Sequence, residues 1–110
     1  MLRHKMTTAV TPMTVRRLME RGAILLDVRT HCEHAGYHVE GAINIPYDEI
    51  ERFRSFIVSW NKPVITFSSH GRRSEIAAQK LRGFGVEVYD AKTIYVVEEG
   101  VSVSGSGSGS

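Results

Sequence analysis

The stretch Val64-Ile-Thr-Phe-Ser-Ser-His-Gly-Arg-Arg-Ser74 decides the fold of this chain. Its first four residues form a short apolar run with β-branched side chains, which predicts a buried strand. A small polar loop with one glycine follows at residues 68–73, and Ser74 opens a helical pattern. Such a loop directs successive backbone N–H groups toward one point, and the helix start behind it adds partial positive charge. The stretch therefore predicts an anion-binding loop with Ser68 at its mouth.

Composition limits the class of protein. The 110 residues, 42% of them hydrophobic and 24% charged, have the size and balance of one domain with a modest core. A net charge of +2 is too small to indicate a nucleic-acid partner. The single cysteine, Cys32, excludes an internal disulfide and is typical of a reducing compartment. Because the sequence has no bilayer-length apolar run and no signal-peptide pattern, we expect a cytoplasmic protein without a membrane partner.

Strand and helix patterns alternate along the chain. The predicted strands are an edge strand at Thr7–Val10, a nearly continuous apolar run at Ala23–Val28, a brief strand within His38–Pro46, the strand at 64–67 and a last one at Val86–Tyr89. The predicted helices run from Thr11-Pro12 to about Arg21, from Asp48 to about Ser59, and from Glu75 to about Arg82 with Ser74 as cap, with a short helix or turn at 30–37. Residues Thr93 to Glu99 favour a final short helix, although Ile94, Val96 and Val97 also fit a strand. This alternation predicts an α/β domain with a mainly parallel sheet, whose ligands bind beyond the carboxyl ends of the strands.

The domain boundaries follow from composition. Residues 7–100 carry the alternating pattern, and we expect them to form the domain. Residues 101–110 are a C-terminal tail, in which the glycine–serine repeat at 104–110 has no means of burying itself and looks like an appended linker.

Three segments in chain order resemble the rhodanese-like sulfurtransferases: Leu26-Asp-Val-Arg29, His38-Val-Glu-Gly-Ala-Ile-Asn-Ile-Pro46, and the strand, loop and helix start at 64–74 with Ala77, Ala78 and Leu81 behind it. The similarity extends over nearly the whole globular part. It implies a single three-layer domain with a mainly parallel sheet of about five strands between helices. It also implies transfer of sulfane sulfur from a donor such as thiosulfate or a persulfide to a thiol, cyanide or protein acceptor, without a cofactor.

The resemblance implies a cysteine nucleophile at the first loop position, and this chain has Ser68 there. A serine hydroxyl stays protonated without a dedicated base, and oxygen does not carry sulfane sulfur as a stable persulfide. We therefore expect the chain as written to be an inactive Cys-to-Ser form. Its origin stays open between an engineered replacement, which we favour beside the artificial-looking repeat, and a naturally non-catalytic anion-binding or regulatory module.

The loop residues have expected roles in substrate binding. Backbone N–H groups from Ser69 to Ser74 are expected to bind the anion, and Gly71 allows a turn that a side chain would obstruct. His70 is a candidate proton donor to leaving sulfite, although an exposed loop histidine fits the sequence equally well. Arg72 is more readily explained as a solvated surface arginine than as a ligand.

The arginine at the end of the loop helps to distinguish sulfurtransferase from phosphatase activity. Arg73 matches the family arginine that favours negative charge in the loop. The spacing from Ser68 to Arg73 is one residue shorter than the Cys-x5-Arg loop of related phosphatases, which makes phosphatase activity the weaker interpretation. Asp27 and Arg29, after a neighbouring strand, are expected to support the site structurally.

A metal site is a further alternative. His31, His34 and His38 would align on a helix, with Cys32 nearby. We favour a site without metal because His38 matches a loop histidine of the family and Gly36 weakens a continuous helix. Cys32 is best explained as a non-catalytic cysteine.

Overall fold

The computed structural model describes residues 9 to 109, with side chains for residues 9 to 102. Its elements are α1 (Pro12–Glu20), β1 (Ile24–Asp27), α2 (His31–Gly36), β2 (Ile43–Asn44), two short 3₁₀ helices (Tyr47–Glu49 and Glu51–Phe53), α3 (Arg54–Ser59), β3 (Val64–Ser68), α4 (Arg72–Gly83), β4 (Val88–Thr93) and α5 (Ile94–Gly109). None of the helices in this range is long and apolar enough to span a membrane.

The four described strands form one parallel sheet in the order β2-β1-β3-β4. This confirms the predicted α/β fold with a parallel sheet. The predicted edge strand at Thr7–Val10 begins outside the described residues, and Ala9 and Val10 are not in a strand. In the register, Asp27 lies beside Phe67 and Phe67 beside Lys92, so β1, β3 and β4 end at the same edge of the sheet.

Helices cover both faces of the sheet. On β3, Ile65 and Phe67 pack on the face that α1 and α5 cover, whereas Val64 packs on the face that α3 and α4 cover. Neighbouring residues of β1 divide in the same way, with Leu25 on the first face and Leu26 on the second. Burial on both faces explains why these strands are continuous apolar runs.

The start of α4 differs from the prediction. Ser74 is not the helix cap, because α4 begins at Arg72 and its N-cap is Gly71, which has a φ of +93°. Glycine adopts this left-handed conformation without steric cost, so the chain turns directly from the loop into the helix. Ser74 lies in the first turn, where its hydroxyl bonds back to the Gly71 carbonyl.

Three other elements have bounds that differ from the predicted ones. The predicted helix from Asp48 to Ser59 consists of the two 3₁₀ helices followed by α3. Strand β4 begins and ends later than predicted, and it carries a bulge between its pairs with Thr66 and Phe67. Helix α5 continues to Gly109, through residues whose glycine–serine composition gave no helical signal.

Candidate active site

The loop after β3 is organised around the side chain of Ser68. This residue is 1% exposed at the carboxyl end of the strand. Its Oγ accepts hydrogen bonds from the backbone N–H groups of Gly71 at 3.2 Å and Ser74 at 3.3 Å. Two buried N–H groups thus converge on the side-chain atom of position 68, which is the arrangement that stabilises an anion at that atom.

The loop is held against β4. The Ser74 hydroxyl lies 3.0 Å from the Gly71 carbonyl oxygen and 3.1 Å from that of Lys92, and its single proton serves both acceptors. A Cβ on Gly71 would lie only 3.2 Å from the Cβ of Lys92. The close packing explains why this position is glycine, and it fixes the direction of the Gly71 N–H.

Helix α4 adds a positive electrostatic contribution to the loop. The N–H groups in its first turn have no acceptor within the helix, and this end carries partial positive charge. Of these groups, the Ser74 N–H donates to Ser68. The exposed side chains of His70 and Arg72 and the partly exposed Ser69 add solvent-accessible polar groups to the same loop.

Arg73 forms a bidentate ion pair with Glu33 of α2. Its Nη1 lies 2.9 Å from Oε1 of Glu33, and its Nη2 lies 3.2 Å from Oε2. These hydrogen bonds from Arg73, together with one from the Thr30 backbone N–H, lower the pKa of Glu33 from 4.5 to about 2. The guanidinium of Arg73 is therefore partly neutralised and links α4 to α2.

Glu33 is a site residue that the sequence reasoning missed. It belongs to a capping box at the start of α2, in which Thr30 Oγ1 accepts the Glu33 N–H at 3.1 Å and Glu33 Oε1 accepts the Thr30 N–H at 2.9 Å. The spacing Thr-x-x-Glu is a recognisable sequence signal for this motif. It would have predicted the helix start, although not the contact with Arg73.

Asp27 and Arg29 support α2. Among the described residues, neither side chain forms a hydrogen bond with the loop at 68–73. Arg29 donates to the buried Asp27 carboxylate from Nε at 3.0 Å and from Nη2 at 2.8 Å, and His34 Nδ1 lies 2.9 Å from the same carboxylate. Burial raises the pKa of Asp27, but the hydrogen bonds from Arg29 and His34 outweigh it and hold that pKa below its usual value. Arg29 also donates to the Tyr37 carbonyl at 2.6 Å, at the end of α2. The C-terminal part of α2 is thereby fixed to the end of β1 and to Arg29 after it.

Residues 11–103 match the family model of the rhodanese-like domain. The chain belongs to the rhodanese-like domain family. It is 40% identical over 73 residues to an uncharacterized Bacillus subtilis protein, YqhL, in an alignment that covers 66% of this chain and 57% of YqhL. The chain thus matches little more than half the length of that relative.

The chain is also similar to a sulfurtransferase and to a rhodanese-related protein of known structure. The thiosulfate sulfurtransferase GlpE of Haemophilus influenzae is 30% identical over 78 residues, which cover 71% of this chain and 73% of GlpE. The crystal structure of a rhodanese-related protein from Thermoplasma volcanium superposes with a TM-score of 0.69 at 25% identity, covering 86% of this chain and 94% of that one. These similarities confirm the three-layer fold that the sequence motifs predicted.

In this rhodanese-like domain, the Nδ1 atoms of the three histidines considered for a metal site have different hydrogen-bond partners. His31 Nδ1 lies 2.8 Å from Asn44 Oδ1, whereas His34 Nδ1 contacts Asp27. His38 stacks on His34 with ring centroids 4.4 Å apart, and its Nδ1 lies 3.0 Å from the His34 carbonyl. Within residues 9–102, no group of three or more His, Cys, Asp and Glu side chains is placed to hold a metal ion, and Cys32 is exposed.

Proposed function

We propose that this chain is a rhodanese-type sulfurtransferase domain in which residue 68 carries the transferable sulfur when it is cysteine. The observation that supports this most strongly is the convergence of the Gly71 and Ser74 N–H groups on the side-chain atom of residue 68. Membership of the family and the similarity to a thiosulfate sulfurtransferase support the reaction class. The proposed donor is a small sulfur-containing anion such as thiosulfate.

With cysteine at position 68, the loop would favour the reactive thiolate. A free cysteine has a pKa of about 8.5, which N–H donors and a helix N-terminus lower. The thiolate attacks the outer sulfur of thiosulfate, a new sulfur–sulfur bond forms at residue 68, and the original bond breaks as sulfite leaves with the electron pair. A thiol or cyanide then attacks the outer sulfur and restores the thiolate, so no external oxidant or reductant is needed.

We propose the following division of roles among the residues of the site. The backbone from Ser69 to Ser74 binds the anionic donor, with the exposed His70 and Arg72 on the same loop. Arg73 stabilises negative charge at the loop end while Glu33 fixes its orientation. Asp27 and Arg29 act at a distance, through α2 and Glu33, by keeping Arg73 in place.

Serine at position 68 would prevent sulfur transfer. The hydrogen bonds described at Ser68 Oγ come from two N–H donors, which stabilise a negative charge but accept no proton. No general base bonds to this hydroxyl among residues 9–102, and oxygen offers no stable persulfide. We propose that the chain as written binds the donor without transferring its sulfur.

The experiment is to measure thiocyanate formation from thiosulfate and cyanide by the Ser68→Cys variant. The matched control is Ser69→Cys, which places a thiol one residue further along the same loop. We expect activity in Ser68→Cys and none in Ser69→Cys or in the unaltered chain. An inactive but folded Ser68→Cys variant contradicts the proposal, as does activity of the unaltered chain that disappears in Cys32→Ser.

A second candidate function is a non-catalytic anion-binding or regulatory module. The buried Ser68 hydroxyl, with both backbone donors engaged, is the observation that favours it. The codon for residue 68 in the natural gene distinguishes the two functions. A cysteine codon there contradicts the second candidate, and a serine codon favours it.

A further inference from the structure

Lys92 has an unusual backbone conformation beside the loop. Strand β4 contains a bulge, because Thr66 pairs with Asp90 but Phe67 pairs with Lys92, which leaves Ala91 without a partner. Lys92 has a φ of +70°, in the left-handed region that residues with a Cβ rarely adopt. Strain of this kind concentrates at functional sites, where the rest of the structure over-determines the conformation.

The backbone of Lys92 is fixed against the loop. Its N–H donates to Asp90 Oδ1 at 2.9 Å, and its carbonyl accepts from the buried Ser74 hydroxyl at 3.1 Å. Its Cβ packs so close to Gly71 that a methyl group there would come within 3.2 Å. Gly71 and Ser74 are the two residues whose N–H groups point at residue 68, so the side chain of Lys92 starts at the wall of the anion-binding loop.

The charge of Lys92 is only loosely neutralised. Its Nζ lies 3.6 Å from Asp90 Oδ2, and its side chain is 61% exposed. Asp90 is itself engaged by the Lys92 N–H and by the Thr66 hydroxyl at 3.3 Å. Arg73, by contrast, makes two hydrogen bonds to Glu33 at 2.9 and 3.2 Å. The ammonium of Lys92 is thus freer to bind a ligand than the guanidinium that closes the loop.

We propose that Lys92 is a specificity-determining residue whose ammonium binds the anionic end of a small, doubly charged sulfur donor such as thiosulfate. A glycine would adopt the same backbone conformation without strain, but it would provide no charge at the loop wall. The inference rests on the proposed sulfurtransferase function. It adds a side chain from β4 to a site otherwise formed by the loop and α4.

The test combines Ser68→Cys with substitutions of Lys92. Lys92→Met keeps the aliphatic stem over Gly71 and removes only the charge, whereas Lys92→Arg keeps a charge there. We expect Lys92→Met to raise KM for thiosulfate about five- to tenfold, the effect of one charge-assisted contact, with kcat changed less than about twofold. Lys92→Arg should restore most of the affinity. The control is Lys62→Met, the same change at the exposed residue before β3, at the opposite end of the sheet.

A further variant separates the charge of Lys92 from its backbone. Lys92→Gly should raise the melting temperature by relieving the strain and should also raise KM for thiosulfate. A purely structural residue would change the melting temperature alone, and an unchanged KM in both Lys92→Met and Lys92→Gly would overturn the proposal.

The role of Lys92 in binding thiosulfate can still be tested if Ser68→Cys transfers no sulfur. That result contradicts the proposed function, and Lys92 is then tested by titrating thiosulfate into the unaltered chain and into its Lys92→Met variant by calorimetry. Weaker binding to Lys92→Met supports the assignment. Equal binding to both chains, or binding to neither, overturns it.

Discussion

At the scale of single residues, the loop depends on the contact between Gly71 and Lys92. Gly71 has a φ of +93° and lies against the side chain of Lys92, and its N–H donates to Ser68. A side chain at this position would meet both a strained backbone and an occupied space. The direction of the N–H that reaches residue 68 therefore depends on the absence of a Cβ.

We expect Gly71→Ala to lower the free energy of unfolding by about 1 to 3 kcal/mol, because alanine would be forced into the left-handed region against Lys92. Urea denaturation measures the change. The matched control is Gly83→Ala on the same helix, where a Cβ meets nothing within 4 Å. That variant should be neutral or more stable, and an equal loss in both variants would contradict the strain at Gly71.

The ion pair between Glu33 and Arg73 should make stability depend on pH. Because the pKa of Glu33 is about 2 in the folded chain and 4.5 as its ordinary value, the pair stabilises the fold above about pH 4.5 and loses this effect as the pH falls toward 2. Glu33→Gln keeps the capping box but removes the charge. We expect it to cost at most about 1 kcal/mol at pH 7, since the pair is partly exposed and screened by solvent.

The measurement is urea denaturation of the unaltered chain and Glu33→Gln from pH 7 to pH 2. The difference between them should be steady above about pH 5 and vanish near pH 2. In an Arg73→Met background, Glu33→Gln should change stability much less. A difference that persists at pH 2 would show that Glu33 acts through something other than its charge.

At the scale of elements, α2 connects the end of β1 to the start of α4. His34 and Tyr37 fix it to Asp27 and Arg29, and Glu33 fixes it to Arg73. The helix has only six residues and buries none of them, so its position depends on these polar contacts rather than on apolar packing. This explains how a carboxylate buried in β1 can affect the loop after β3.

We expect Asp27→Asn to lower the free energy of unfolding by about 3 to 5 kcal/mol, because it leaves the charge of Arg29 buried without its partner. The two side chains are 0% and 7% exposed, so water does not compensate for the loss. The control is Asp48→Asn at an exposed site, which should change stability by less than about 0.5 kcal/mol. A comparably small change in Asp27→Asn, measured by urea denaturation, would contradict this role for Asp27.

At the scale of the whole molecule, local sequence patterns predict the layers but not the contacts between them. The apolar run at Val64–Phe67 predicts a strand buried on both faces, and Thr11-Pro12 predicts the start of α1 within one residue. The bulge at Lys92 leaves no such pattern, and the pairing of Glu33 with Arg73 joins residues 40 positions apart. Ser74 has the residue type of a helix cap, but Gly71 takes that position because the loop needs a left-handed turn.

In the candidate site too, the sequence predicts the local loop but not the contacts between distant residues. The loop at 68–73 was recognisable from the residues themselves, since glycine and small polar residues between a strand and a helix suit backbone anion binding. The roles of Glu33 and Lys92 depend on neighbouring strands and helices that bring distant segments to one sheet edge. Only the folded chain brings these residues together.

The most direct test of the proposed chemistry is the intact mass of the Ser68→Cys variant after incubation with thiosulfate. We expect a gain of one sulfur atom that peptide mapping locates at residue 68 and that cyanide removes. The Ser69→Cys variant should gain none. An unchanged mass of Ser68→Cys, or an added sulfur that maps to Cys32, would contradict the assignment of residue 68 as the sulfur carrier.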